Sequence, residues 1–86
     1  MILDDVRKMA KEKKDAILQD PNSTQHDKEY VDKVIKIFSN EDYIKEASRG
    51  LVEVLLFYLG VEFGECEQMY NDLMKEINTT YDVVFI

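Results

Sequence analysis

Catalytic chemistry in this chain would have to involve two residue types that each occur once, His26 and Cys66. A nucleophile–base pair needs them to meet in space, with a third residue orienting the imidazole. His26 falls in the first turn of an expected helix behind a polar loop, where an exposed histidine is ordinary. Cys66 lies near an expected helix N-terminus, which lowers a thiol pKa, but Glu65 and Glu67 flank it and raise it again. Its position on an apolar stripe reads as a buried structural cysteine. One histidine, one cysteine and scattered carboxylates also lack the spacing of a metal-ligand set. There is no DxDxDG-like loop for calcium. No catalytic, metal or cofactor residue is therefore assigned, and a small enzyme using His26 is the third-ranked functional reading.

The carboxylates offer a different kind of chemistry. Glu62, Glu65, Asp72 and Glu76 fall within about a third of a helical wheel beside the apolar stripe of the last helix, if helical phase extends back to Glu62. They are the candidate partner-binding set, read as a docking face for a cationic partner; the plainer reading is a solvated face that keeps a small protein soluble. Lying beside the stripe rather than in it, they are expected to be dispensable for folding. On the first helix, Arg7, Lys11 and Lys14, with Lys8 nearby, form the opposite pattern. Asp4, Glu12 and Asp15 interleave with them and no aromatic accompanies them, so this reads as a solvated face with i,i+4 ion pairs.

Net charge is −7, and its distribution sharpens that contrast. Residues 1–40 hold eight Lys/Arg against eight Asp/Glu, whereas residues 41–86 hold three against ten. An acidic surface repels phosphate backbones, which disfavours direct nucleic-acid binding and leaves a basic protein surface as the natural partner. The expected function is a small non-enzymatic protein-interaction module that binds a basic partner through its C-terminal half. Inhibitor, antidote and regulatory subunit all fit. The alternative is an acidic nucleic-acid mimic that occupies the groove of a DNA- or RNA-binding enzyme.

The elements that must position these residues read as a compact all-α four-helix bundle with a short extended C-terminal tail. The helices are expected at about 2–19, 24–38, 41–59 and 65–78, the tail at 81–86. Eighty-six residues make one domain, able to bury roughly 60–65% of the surface its unfolded chain exposes. In the first helix Ile2, Leu3, Val6, Met9, Ala10, Ala16 and Ile17 share a face, with Lys13 awkwardly near its middle. Asp20-Pro21 breaks the chain, because proline turns its predecessor away from helix. Thr24 and Asp27 then have the spacing of a capping box, ahead of a stripe of Tyr30, Val31, Val34, Ile35 and Phe38.

The third helix carries the most informative run, Leu51–Leu59, in which only Glu53 is charged. Tyr43, Ile44, Ala47, Leu51, Val54, Leu55 and Tyr58 form one stripe at helical spacing, and Val52, Leu56, Phe57 and Leu59 spread apolar surface almost all round it. Such a helix is either the centre of a small core or half of a subunit interface. A homodimer using Leu56 and Phe57 is expected, with Tyr81, Val83 and Phe85 of the tail as further interface candidates. Gly50 either permits a close helix crossing or marks a break between a short helix 41–48 and the apolar run. Gly60 fits a positive-φ C-terminal cap and Gly64 an N-cap. In the last helix Cys66, Met69, Tyr70, Leu73, Met74 and Ile77 keep the cleanest period, and Asn78-Thr79-Thr80 is expected to end it.

The longest apolar run falls far short of the roughly 20 residues that span a bilayer. MILDDVRKMAKEKK meets acid at once and lacks the apolar core of a signal peptide. A single cysteine suits a reducing compartment. The expected location is cytoplasmic, with no membrane association.

Overall fold

A computed structural model describes the backbone of residues 1–82 and the side chains of residues 1–78. Its first helix, α1, runs Ile2–Gln19, as the sequence predicts, and stops at Asp20, whose extended backbone is what the following proline requires. The second, α2 (Gln25–Ser39), begins with the expected capping box: Asp27 N–H donates to Thr24 Oγ1 at 3.1 Å and Thr24 N–H to the Asp27 carboxylate at 3.0 Å. The hydrogen bond from the Thr24 backbone, helped by the Thr24 hydroxyl and the nearby His26, holds the Asp27 carboxyl below its ordinary range. Then follow α3 (Glu41–Glu46), α4 (Arg49–Tyr58), a 3-10 turn at Phe63–Glu65, and α5 (Cys66–Asp82). The described residues contain no strand. The all-α expectation therefore holds, with five α-helices among the described residues in place of four.

The extra helix comes from a break in the expected 41–59 element. It lies at Ala47–Ser48, both extended at ψ 145° and 152°, not at Gly50. Ser48 Oγ accepts the Leu51 N–H at 3.2 Å, satisfying one of the donors that every helix start leaves unpaired. Restarting the helix there resets its phase. Val52, Leu55, Leu56 and, just past the last turn, Leu59 are buried, while Tyr43, Leu51 and Val54 of the expected single stripe are exposed. Leu56 is fully inside this chain's own core, which corrects its assignment to an interface between copies.

The other end of α4 is closed by a Schellman arrangement. Gly60, at φ +109°, donates to Phe57 O at 3.0 Å, and Val61 donates to Leu56 O at 3.1 Å. The buried Val61 follows the buried Leu56 in the hydrophobic pairing this motif favours. Gly64 is not the N-cap it resembles but lies within the 3-10 turn. Asn78-Thr79-Thr80 does not end α5, which continues through Asp82; these residues are only weakly unfavourable to a helix, and neither Gly nor Pro follows to stop it. Tyr81 and Asp82 are thus helical instead of extended. Val83 and Phe85, the other tail candidates, lie outside the described residues.

Leu3, Val6 and Ala10 of α1, Val34 and Phe38 of α2, and Leu73 and Ile77 of α5 meet the α4 residues and Ile44 in one core. Lys13 does not weaken the α1 face: its ammonium lies 4.8 Å from the centre of the Tyr58 ring, which packs edge-on against Tyr30 at 4.7 Å. A cation over an aromatic face is attracted to it. One lysine thereby ties α1 to α4 and α2. Burial, followed by the Tyr30 and Asp27 charges, raises the Tyr58 hydroxyl pKa.

Two charged side chains close the bundle end to end. Both Glu76 carboxylate oxygens accept backbone hydrogen bonds, from Ile2 N–H at 2.9 Å and Leu3 N–H at 3.0 Å. Glu76 is the N-terminal cap of α1, supplied from α5. The bond from Leu3, with that from Ile2 and the α-amino charge, holds its carboxyl below the ordinary glutamate value. Reciprocally, Arg7 of α1 donates through Nε to Phe38 O at 2.7 Å and through Nη2 to Ser39 O at 3.3 Å, meeting the negative end of the α2 dipole. No helix among the described residues is long and apolar enough to cross a membrane.

Candidate functional site

The α4 helix has two apolar faces, and the core covers one of them. Opposite Val52, Leu55 and Leu56 stand Gly50, Val54 and Phe57, with Leu51 to one side. Phe57 and Val54 are each 56% exposed. The Schellman turn then brings the chain back alongside. Glu62 is extended, and the 3-10 turn that follows projects Phe63 outward, 84% exposed. Its ring meets Phe57 edge-to-face, with centroids 6.1 Å apart at 88°. Two uncovered aromatics held against each other form a rigid apolar ridge, a residue type enriched at protein interfaces.

Beside this ridge runs an open groove of about 530 Å³, lined by Gly50, Glu53, Val54 and Phe57 of α4 and by Phe63, Gly64, Cys66 and Glu67 from the turn and the start of α5. Hydrogen bonds fix the turn itself. The Cys66 thiol donates toward Glu62 O at 3.4 Å and Val61 O at 3.8 Å. Burial, then the Glu53 and Glu65 charges, push this thiol up, which disfavours the nucleophilic thiolate form.

Two carboxylates, Glu53 and Glu67, line the groove, and the exposed Glu62 and Glu65 lie within two residues of Phe63 in the chain. A single cation interrupts them. Arg49 donates through Nε to Glu53 at 3.2 Å and through Nη2 to Glu67 at 2.8 Å, and its guanidinium stands 5.5 Å from the Tyr70 ring centre. These pairs, led by the Glu53 hydrogen bond, raise the Arg49 pKa. Among the described residues no cation pairs with Glu62 or Glu65. The two lining carboxylates thus share one guanidinium, and two further exposed carboxylates lie near Phe63 in the chain.

The four carboxylates singled out by sequence do not share one surface. Glu62 lies outside helical phase, in the extended approach to the 3-10 turn that contains Glu65, and none of the four lines the groove. Asp72 is half-buried within α5 and accepts a hydrogen bond from Gln68 Nε2 at 2.9 Å. Glu76 clasps the start of α1. Of the interface candidates, Phe57 is on the groove and Leu56 is in the core. Arg49, Glu53, Phe63 and Glu67 escaped the sequence reading. Ser48, a serine immediately ahead of an apolar run, is the signal that could have reset the α4 phase and exposed Val54.

A second groove has its charged groups engaged within the fold. A groove of about 660 Å³ between α1 and α2 is lined by Arg7, Lys11, Lys14 and Phe38, among others. There Arg7 is engaged with the α2 carbonyls and Lys14 with Asp32 at 2.8 Å. His26 is exposed on α2, with its ring 6.5 Å from that of Tyr30, while Cys66 is buried at the start of α5. No three His, Cys, Asp or Glu among the described residues come close enough to hold a metal ion. No protein-family model, curated protein or solved structure matches the chain.

Proposed function

We propose that this chain is a non-enzymatic protein-interaction module that binds a basic partner through its C-terminal half, as an inhibitor, antidote or regulatory subunit would. The observation that carries this reading is the exposed Phe57–Phe63 pair beside a groove lined by Glu53 and Glu67, with the exposed Glu62 and Glu65 close to Phe63 in the chain. Buried aromatic anchors supply most of the binding energy at interfaces, and rim charges set partner choice and association rate. The nucleic-acid mimic is less well supported, because Asp72 and Glu76 are engaged within the fold and an apolar ridge has no phosphate counterpart. A homodimer through the same face would juxtapose two acidic rims, so charge favours a different, cationic protein.

The test is affinity capture with the immobilised chain, comparing wild type with Phe57→Ser/Phe63→Ser. A basic protein held by wild type, released by the double substitution and weakened by added salt supports the proposal. Retention of every captured protein by the double variant overturns it.

A further inference from the structure

Resting on that reading, we infer that the groove takes two turns of a cationic amphipathic helix from the partner protein. Its α4 wall is Gly50, Glu53, Val54 and Phe57, spaced i, i+3, i+4, i+7, and spans about 10 Å of helix axis. That length and ridge pattern match a partner helix laid alongside with anchors at the same spacing. Strand addition has no counterpart here, since the described residues contain no sheet edge. A small polar ligand has little to orient it, because no buried side-chain nitrogen or oxygen among the described residues is left unpartnered.

Charge selects among molecules. Glu53 and Glu67 line an apolar floor and share Arg49, and the exposed Glu62 and Glu65 add unpaired negative charge beside Phe63 in the chain, which complements Leu or Phe anchors flanked by Lys and Arg. A second copy would oppose its own rim. Gly50 and Gly64 keep the groove open at two points. A Cβ built on either meets nothing within 4 Å, and neither has positive φ, so larger side chains there would enter the groove without disturbing the fold.

The experiment titrates a synthetic peptide, with Leu or Phe at i, i+3, i+4 and i+7 and Lys or Arg elsewhere, into the isotope-labelled full chain. The expected result is saturable amide shifts centred on Gly50, Val54, Phe57, Phe63 and Gly64, with peptide helicity gained on binding. Gly50→Leu, and independently Gly64→Leu, should weaken binding by about tenfold or more without lowering the melting temperature. Equal binding by a scrambled peptide, or by one with a central proline, overturns the helix while leaving a basic partner in place. Shifts centred elsewhere, undiminished binding by both glycine variants, or no saturable binding at about 1 mM peptide overturn the groove itself. Self-association of the chain through these residues would replace the partner helix with a second copy.

Discussion

Leu56 and Phe57 are neighbours on one helix, yet one is wholly inside the core and the other is 56% exposed. Glu76 and Glu65 repeat the contrast in charge: one holds the first backbone amides of α1, the other is exposed in the 3-10 turn. Apolar and acidic residues of the same kinds are thus divided between two tasks. One region, where α1, α2 and α5 meet the inner face of α4, closes on itself with side chains and helix ends satisfied. The other, the outer face of α4 with the Phe63 turn, leaves its aromatics uncovered and its carboxylates in excess. Composition alone does not separate the two, because the division is made by the capped helix starts and by the phase they set.

The largest expected effect that would break this comparison is on stability. Leu56→Ala should cost about 2–5 kcal/mol by denaturant unfolding, the range for emptying a packed leucine site, whereas Phe57→Ala should stay within about 0.5 kcal/mol. Similar losses for both would mean that the outer face is core. A smaller effect is expected for the charges. Glu76→Ala should cost about 1 kcal/mol, the usual value of a lost N-terminal cap, while Glu65→Ala should leave the unfolding midpoint unchanged.

The pH dependence adds a sign to this. The Glu76 carboxyl is held below its ordinary value of 4.5 in the folded chain. Its contribution is therefore complete above pH 4.5 and is lost as pH falls through the lower folded-state value. The gap in stability between wild type and Glu76→Gln should be widest above that window and close below it. A gap that widened on acidification would contradict the cap. The smallest effect is a gain. Gly50→Ala should stabilise by about 0.4–1 kcal/mol, since its backbone is helical and the added methyl meets open space.

Most of the fold was legible in the sequence because its signals are local. Proline after Asp20, the Thr24–Asp27 capping box and the stripe of Cys66, Met69, Leu73 and Ile77 each act within a few residues. The α3–α4 break was harder to read, since an apolar run hides a phase reset, and Ser48 competes with the more conspicuous Gly50. The site was only half legible. The all-round apolar character of Leu51–Leu59 was compatible with either a core or an interface; that Val52, Leu55, Leu56 and Leu59 are buried while Leu51, Val54 and Phe57 are exposed depended on that reset. The roles of Glu76 and Arg7 could not be read locally, because each caps a helix end 31 to 74 residues away in sequence.

The most direct measurement is the melting temperature of wild type and of Phe57→Ser/Phe63→Ser, each with and without the basic amphipathic peptide. A ligand that binds only the folded state raises the melting point. The account predicts equal melting temperatures for the two free proteins and a rise on adding peptide for wild type alone. A double variant that melts well below wild type, or that gains as much from the peptide, would contradict it.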